Sequence, residues 1–112
     1  MSKNIFRAAV FIVLATGVDQ QVQAQQVTQK VKPGKGLYEI VYSEKGNAVY
    51  VASTGTRGQQ GAGKVYQLDP LTLAVKDSID VAAAPAFGLG LNDKTQILYT
   101  ANTLSNSVHA ID

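Results

Sequence analysis

The chain has 112 residues, 46% apolar and 16% charged, which fits one globular domain rather than a disordered segment. Ten basic and eight acidic side chains are too mild a balance to argue for nucleic acid on their own. The absence of cysteine and tryptophan, with a single histidine, excludes disulfide frameworks, Cys-based zinc sites, iron–sulfur clusters, thiol nucleophiles and Cys-linked lipid anchors.

The first element is a targeting signal. Lys3 and Arg7 precede the apolar run Ala8 to Ala15, and a polar stretch leads to Val22-Gln23-Ala24, with small or branched residues where a signal peptidase reads. This order predicts a helical secretory signal peptide over 1–24, cleaved after Ala24. The run is too short for a transmembrane helix, which needs roughly 20 apolar residues. Removing 1–24 takes Lys3, Arg7 and Asp19 with it and leaves a nearly neutral exported chain, expected in the periplasm and without a membrane anchor.

Residues 25–36 form a polar lead-in, and beyond it the sequence repeats. Tyr38 to Thr54 aligns with Phe87 to Thr103 at a constant offset of 49, with lysine, tyrosine, alanine and threonine recurring at 45/94, 50/99, 52/101 and 54/103. Tyr38/Phe87, Ile40/Leu89, Ser43/Asn92 and Glu44/Asp93 keep their chemical type. Further on, Lys64 to Asp69 matches Ser107 to Asp112 at an offset of 43, so the first copy carries six extra residues in its glycine-rich loop, Gly55 to Gly63. A self-similar unit of 43 to 49 residues is the length of a propeller blade, usually about 40 to 45.

Alternating apolar positions between turn residues predict four strands in the first unit: Leu37 to Tyr42, Ala48 to Ser53, Lys64 to Leu68 and Leu73 to Val81. Asp69-Pro70 starts the turn before the last of them, because proline fixes φ and aspartate bonds nearby amides. The near-continuous apolar runs Ala48 to Ala52 and Ile97 to Ala101 imply strands covered on both faces. Gly88 and Gly90 suit an innermost strand crowded near a central axis. They are not a nucleotide loop, since no helix pattern follows. The expected fold is all-β: four-stranded antiparallel propeller blades, the first over 37–81 and a second, incomplete one over 82–112. About 1.7 blades are present where closure needs at least four, so the chain is read as the front piece of a longer propeller or a truncated frame, with the remaining blades as its expected partners.

These residues resemble a known family. Tyr50-Val51-Ala52-Ser53 and Tyr99-Thr100-Ala101-Asn102, each followed by a loop and then Lys64-Val65-Tyr66-Gln67-Leu68-Asp69 or Ser107-Val108-His109-Ala110-Ile111-Asp112, are similar to the YVTN repeat, although both tetrapeptides depart from its consensus. Gly34 to Glu39 and Leu68 to Leu73 look more narrowly like the N-terminal part of the YncE-type exported propellers. The resemblance spans Val31 to Asp112. It implies a soluble, periplasmic, seven-bladed propeller, in a family often labelled DNA-binding and lying near lactonase-like and quinoprotein-like propellers.

Candidate chemistry is sparse. His109 has no second histidine or nearby acid to orient it and is read as structural or solvent-facing. The glycine loop has neither a Walker lysine–serine pair nor dinucleotide spacing and is read as a flexible connection. Asp69, Asp77 and Asp80 fit a turn and a solvated edge strand better than a calcium site. Glu39 stands where the second unit has Gly88, and is expected near the channel of a closed propeller. In an antiparallel blade, the lead-in and the glycine loop emerge at one end, which therefore gathers Lys30, Lys32, Lys35 and Arg57, with Tyr38 and Phe87 beside them. The other end receives Glu44, Lys45, Asp69, Asp93, Lys94 and Asp112. The candidate ligand-binding set is Lys32, Lys35, Arg57, Glu39 and Tyr38, expected to attract an anionic ligand or single-stranded DNA. No cofactor, metal ligand or catalytic set is read. The leading expectation is a non-catalytic exported binding platform. The alternatives are a lactonase-like or quinoprotein-like enzyme whose active residues lie in other blades, and a surface adhesion or structural repeat protein.

Overall fold

The computed structural model describes residues 25–59 and 61–112. The expected signal peptide, with its cleavage point at Ala24, lies outside them. The described chain is all-β, with seven strands and no helix: β1 (Leu37–Ser43), β2 (Ala48–Ser53), β3 (Lys64–Leu68), β4 (Val75–Asp80), β5 (Gly88–Asn92), β6 (Ile97–Asn102) and β7 (Ser107–Ile111). They form a four-stranded sheet in the order β1-β2-β3-β4 and a three-stranded sheet in the order β5-β6-β7, every neighbouring pair antiparallel. This meander order is the one expected of consecutive propeller blades, and the split falls between the two copies of the sequence repeat.

The repeat extends to backbone detail. Asn47 and Gln96, equivalent at the offset of 49, both close a hairpin in the left-handed region, at φ 50° and 60°. Asn tolerates this region better than most residues. β4 starts two residues later than the alternation predicts. Asp69 O accepts from Leu73 N at 2.7 Å and Asp69 N donates to Ala74 O at 2.8 Å, so Leu73, at φ 61°, belongs to the turn. Asp69 Oδ1 accepts from Leu71 N and Thr72 N at 2.8 and 3.0 Å, the turn role its position before proline implies. These amides, Thr72 first, hold its carboxyl below the ordinary aspartate value. β4 is the outer edge of its sheet, and Lys76, Asp77 and Asp80 are exposed along it, which discourages further strand pairing.

The core lies between the sheets. Ala52, Val65, Val81, Ala86 and Leu98 are buried, with Val41, Tyr50, Ile79, Leu89, Leu91 and Ile111 packed around them. Strand registers explain the set. Val41 lies opposite Tyr50, Ala52 opposite Val65 and Val65 opposite Ile79, giving the inner face of the first sheet. Leu91 lies opposite Leu98, and Leu98 opposite Ile111, giving the facing side of the second. Leu89 and Leu91 therefore meet the first sheet. Gly88 and Gly90 fall on the far side, where a Cβ on Gly88 would lie 3.3 Å from Ala101 Cβ and one on Gly90 would touch nothing within 4 Å among the described residues.

Candidate functional site

The two ends of the sheets differ in chemistry. At one end, the β1–β2 and β5–β6 hairpin turns clasp each other. Ser43 Oγ, fully buried at the end of β1, donates to Asp93 Oδ1 at 2.6 Å and accepts from Gly46 N at 2.8 Å. Lys45 N donates to Asp93 Oδ2 at 3.1 Å, and Gln96 Nε2 donates to Asp93 Oδ1 at 2.8 Å and to Ser43 Oγ at 3.1 Å. Lys45 Nζ donates to Lys94 O at 3.0 Å. The Ser43 hydroxyl first, then the Lys45 amide, holds the Asp93 carboxyl below the ordinary aspartate value, because both bonds favour the ionised acceptor. Sequence reasoning recognised Ser43 and Asp93 only as positions of kept type. Their approach across the sheets has no local sequence signal.

At the other end the lead-in, the glycine loop and the β4–β5 connection surround an open groove of about 1240 Å³. Backbone hydrogen bonds tie its rim together: Thr54 N donates to Gly36 O and Gly55 N to Lys35 O, each at 2.9 Å, and Val81 N donates to Gly63 O at 3.1 Å. Ser53 Oγ adds a bond to Lys35 O at 2.5 Å. Gly55, at φ 80°, turns the loop back so tightly that a Cβ there would overlap Ala62 Cβ. Asp80 Oδ1 accepts from Ala82 N at 2.9 Å and steers the chain out of β4 into the groove wall.

Of the residues singled out from sequence, Tyr38 and Arg57 line this groove. The Tyr38 and Phe87 rings meet edge-on with centroids 4.7 Å apart. Lys35 is exposed, with its backbone pinned to the rim, and Lys32 is exposed in the lead-in. Glu39 is exposed in β1, where the register slips between Leu37 and Ile40, and it is not among the groove-lining residues. The wall formed by Ala82 to Pro85 and by Leu104 and Ser105 carries no charge and was not found from sequence. His109 is exposed on β7. Asp77 Oδ1 is engaged by Ser78 N at 2.8 Å. The groove can thus offer an exposed guanidinium, two aromatic edges and loop backbone to a ligand, with no acid in its lining.

Two antiparallel sheets, joined through a shared core and a polar clasp, define an all-β protein. Known proteins narrow this to a family. The chain is 40% identical over 90 residues, 80% of its length, to the uncharacterized protein YncE of Escherichia coli strain K12. It is 37% identical over 101 residues to YncE of Escherichia coli O157:H7, and 40% identical over 79 residues to YncE of Salmonella typhi. The chain is a YncE-like sequence, and it spans about a quarter of the length of these relatives, 25%, 28% and 22% respectively. No family model matches it.

Proposed function

We propose that this chain belongs to an exported, propeller-type binding protein that takes an anionic ligand at the groove end of its sheets, with Arg57, Lys35 and Lys32 drawing the ligand in and Tyr38 offering a ring edge beside it. The observation that supports this reading is the groove itself. It is open, its loops are pinned to one another by backbone hydrogen bonds, and its lining carries Arg57 without an opposing carboxylate. Guanidinium and ammonium groups gathered without acids raise the local concentration of anions and act together within about 10 Å at ordinary salt. The periplasm is the expected compartment, on the signal order of residues 1–24.

The test replaces Lys32, Lys35 and Arg57 together with glutamine and titrates a short single-stranded thymidine oligonucleotide and, separately, inorganic phosphate. All three side chains are exposed, so the fold should change in stability by about 0.5 kcal/mol or less. Oligonucleotide affinity should fall, and the slope of log K against log salt should flatten by about 2, from about 0.7 for each of three lost contacts. Phosphate binding without oligonucleotide binding would restrict the ligand to small anions. Unchanged affinity and slope for both probes would overturn the reading.

A further inference from the structure

The groove lies between the two units, and both of its walls are built by described residues of this chain. One wall is the glycine loop, which brings Thr54, Thr56, Arg57 and Gln59 to the lining. The other is the β4–β5 connection, which brings Ala82, Ala83, Ala84, Pro85 and Phe87. The walls meet at their base, where Val81 N donates to Gly63 O and a Cβ on Gly63 would lie 3.1 Å from Pro85 Cβ. A polar wall with one cation therefore stands against a wall of methyl groups, a proline ring and an aromatic ring.

Charge and size select among anions. Arg57 is the one charged side chain among the described lining residues, since Lys32 and Lys35 lie outside it. An oligonucleotide carries a charge at every phosphate, and all but one would find no partner inside the groove. The apolar wall adds to that penalty, because phosphate oxygens set against alanine and proline lose water without gaining a donor. A lone phosphate ion leaves the same wall wet, and the volume of about 1240 Å³ exceeds the roughly 300–1,000 Å³ usual for small-molecule sites. The guanidinium fork matches the two oxygens of a carboxylate. Gly58 beside it leaves space for such a head, since a Cβ there would meet nothing within 4 Å among the described residues.

We infer that the groove takes a small amphiphilic carboxylate, its head on Arg57 and its apolar body along Ala82 to Pro85. This names the ligand class of the anion site proposed above and rests on that reading. Lys32 and Lys35 then act at a distance, drawing the head in, and the wall holds the body by removing it from water. An oligonucleotide is held at the basic rim outside the groove, not within it.

Isothermal titration calorimetry of the whole chain with hexanoate, octanoate and decanoate, each below its micelle concentration, tests the inference. Affinity should rise by about two- to fourfold for each added methylene, the gain expected of a body half to fully buried. Binding should carry a negative heat-capacity change. Decyltrimethylammonium, which has the same body on a cationic head, should bind about fivefold or more weakly than decanoate. Arg57→Gln should lower the affinity for every acid by about two- to fivefold and keep the increment per methylene. Leu104→Ala, which trims an apolar lining residue from the β6–β7 loop, should weaken decanoate by about twofold or more and shrink that increment. Both variants should keep the urea midpoint of the parent to within about 0.5 M, as exposed substitutions do. Decanoate affinity that ignores chain length, that decyltrimethylammonium matches, or that neither variant changes would overturn the inference. A chain that binds no carboxylate yet binds the oligonucleotide through Lys32, Lys35 and Arg57 would overturn it and leave anion binding standing. Binding of neither would overturn both readings.

Discussion

Gly55→Ala tests whether the glycine loop has a defined shape. Gly55 lies at φ 80°, where an L side chain costs about 1–2 kcal/mol. Alanine returns about 0.4–1 kcal/mol of that by restricting the unfolded chain. The backbone effect alone should therefore destabilise by about 1.6 kcal/mol or less. Sterics come in addition, because the new methyl would overlap Ala62 Cβ and lie 3.0 Å from Ala62 O, and backbone must move to admit it. Forced overpacking of this kind typically adds about 1–3 kcal/mol. Gly58 supplies the control, at the same φ of 80° with nothing within 4 Å of its built Cβ. Urea unfolding of both variants at low protein concentration should place the Gly55→Ala midpoint below that of Gly58→Ala by about 1 M, given a slope near 1–2 kcal/mol per M for a chain this small. Adding Ala62→Gly should recover only part of the difference, since the Ala62 carbonyl remains in the way. Equal midpoints for the two alanine variants would refute the folded-back loop and leave a flexible connection in its place.

Leu98, 4% exposed at the centre of the sheet interface, should cost about 2–5 kcal/mol on replacement by alanine, whereas Leu104→Ala, at a residue 74% exposed, should stay within about 0.5 kcal/mol by the same unfolding assay. Asp93 has its folded-state pKa lowered below the ordinary 3.8, so the stability it adds is present above that value and disappears as pH falls through the lowered one. Thermal melts of Asp93→Asn between neutral pH and pH 2 should show a flatter acid limb than the parent, and an unchanged limb would mean that the clasp carries no pH-linked stability. Mass spectrometry of the exported chain should find Gln25 as its first residue, and an intact Met1 in exported material would refute cleavage after Ala24.

Much of this architecture was readable from residue order because strands and turns are written in local chemistry. Alternation around Ala48 to Ser53 and Lys64 to Leu68 gave those strands to the residue, whereas the shared left-handed closure at Asn47 and Gln96 came only from the structure. Alternation also says that Leu89 and Leu91 share a face. It does not say what that face meets, which is the first sheet. The register slip at Tyr38 and Glu39 is equally silent in sequence, so Glu39 could not be oriented. Tyr38 and Arg57 reach the groove because antiparallel topology sends the lead-in and the glycine loop to one end. The uncharged wall from Ala82 to Pro85 was missed since a search for charge passes over alanines.

The repeat also explains why joint and groove occupy opposite ends. From Tyr38 to Thr54 and from Phe87 to Thr103 the two copies run without insertion, and this stretch holds the hairpin turns whose Ser43 and Asp93 clasp the sheets. A residue added there would move the acid away from the hydroxyl and slip an entire strand face out of the core. The six extra residues of the first unit fall instead between β2 and β3, where the loop needs only its ends held, by Gly55 N on Lys35 O and Gly63 O on Val81 N. Loop length and composition can therefore change at the groove while the sheet interface stays fixed, since an exposed loop tolerates insertions that a packed strand cannot.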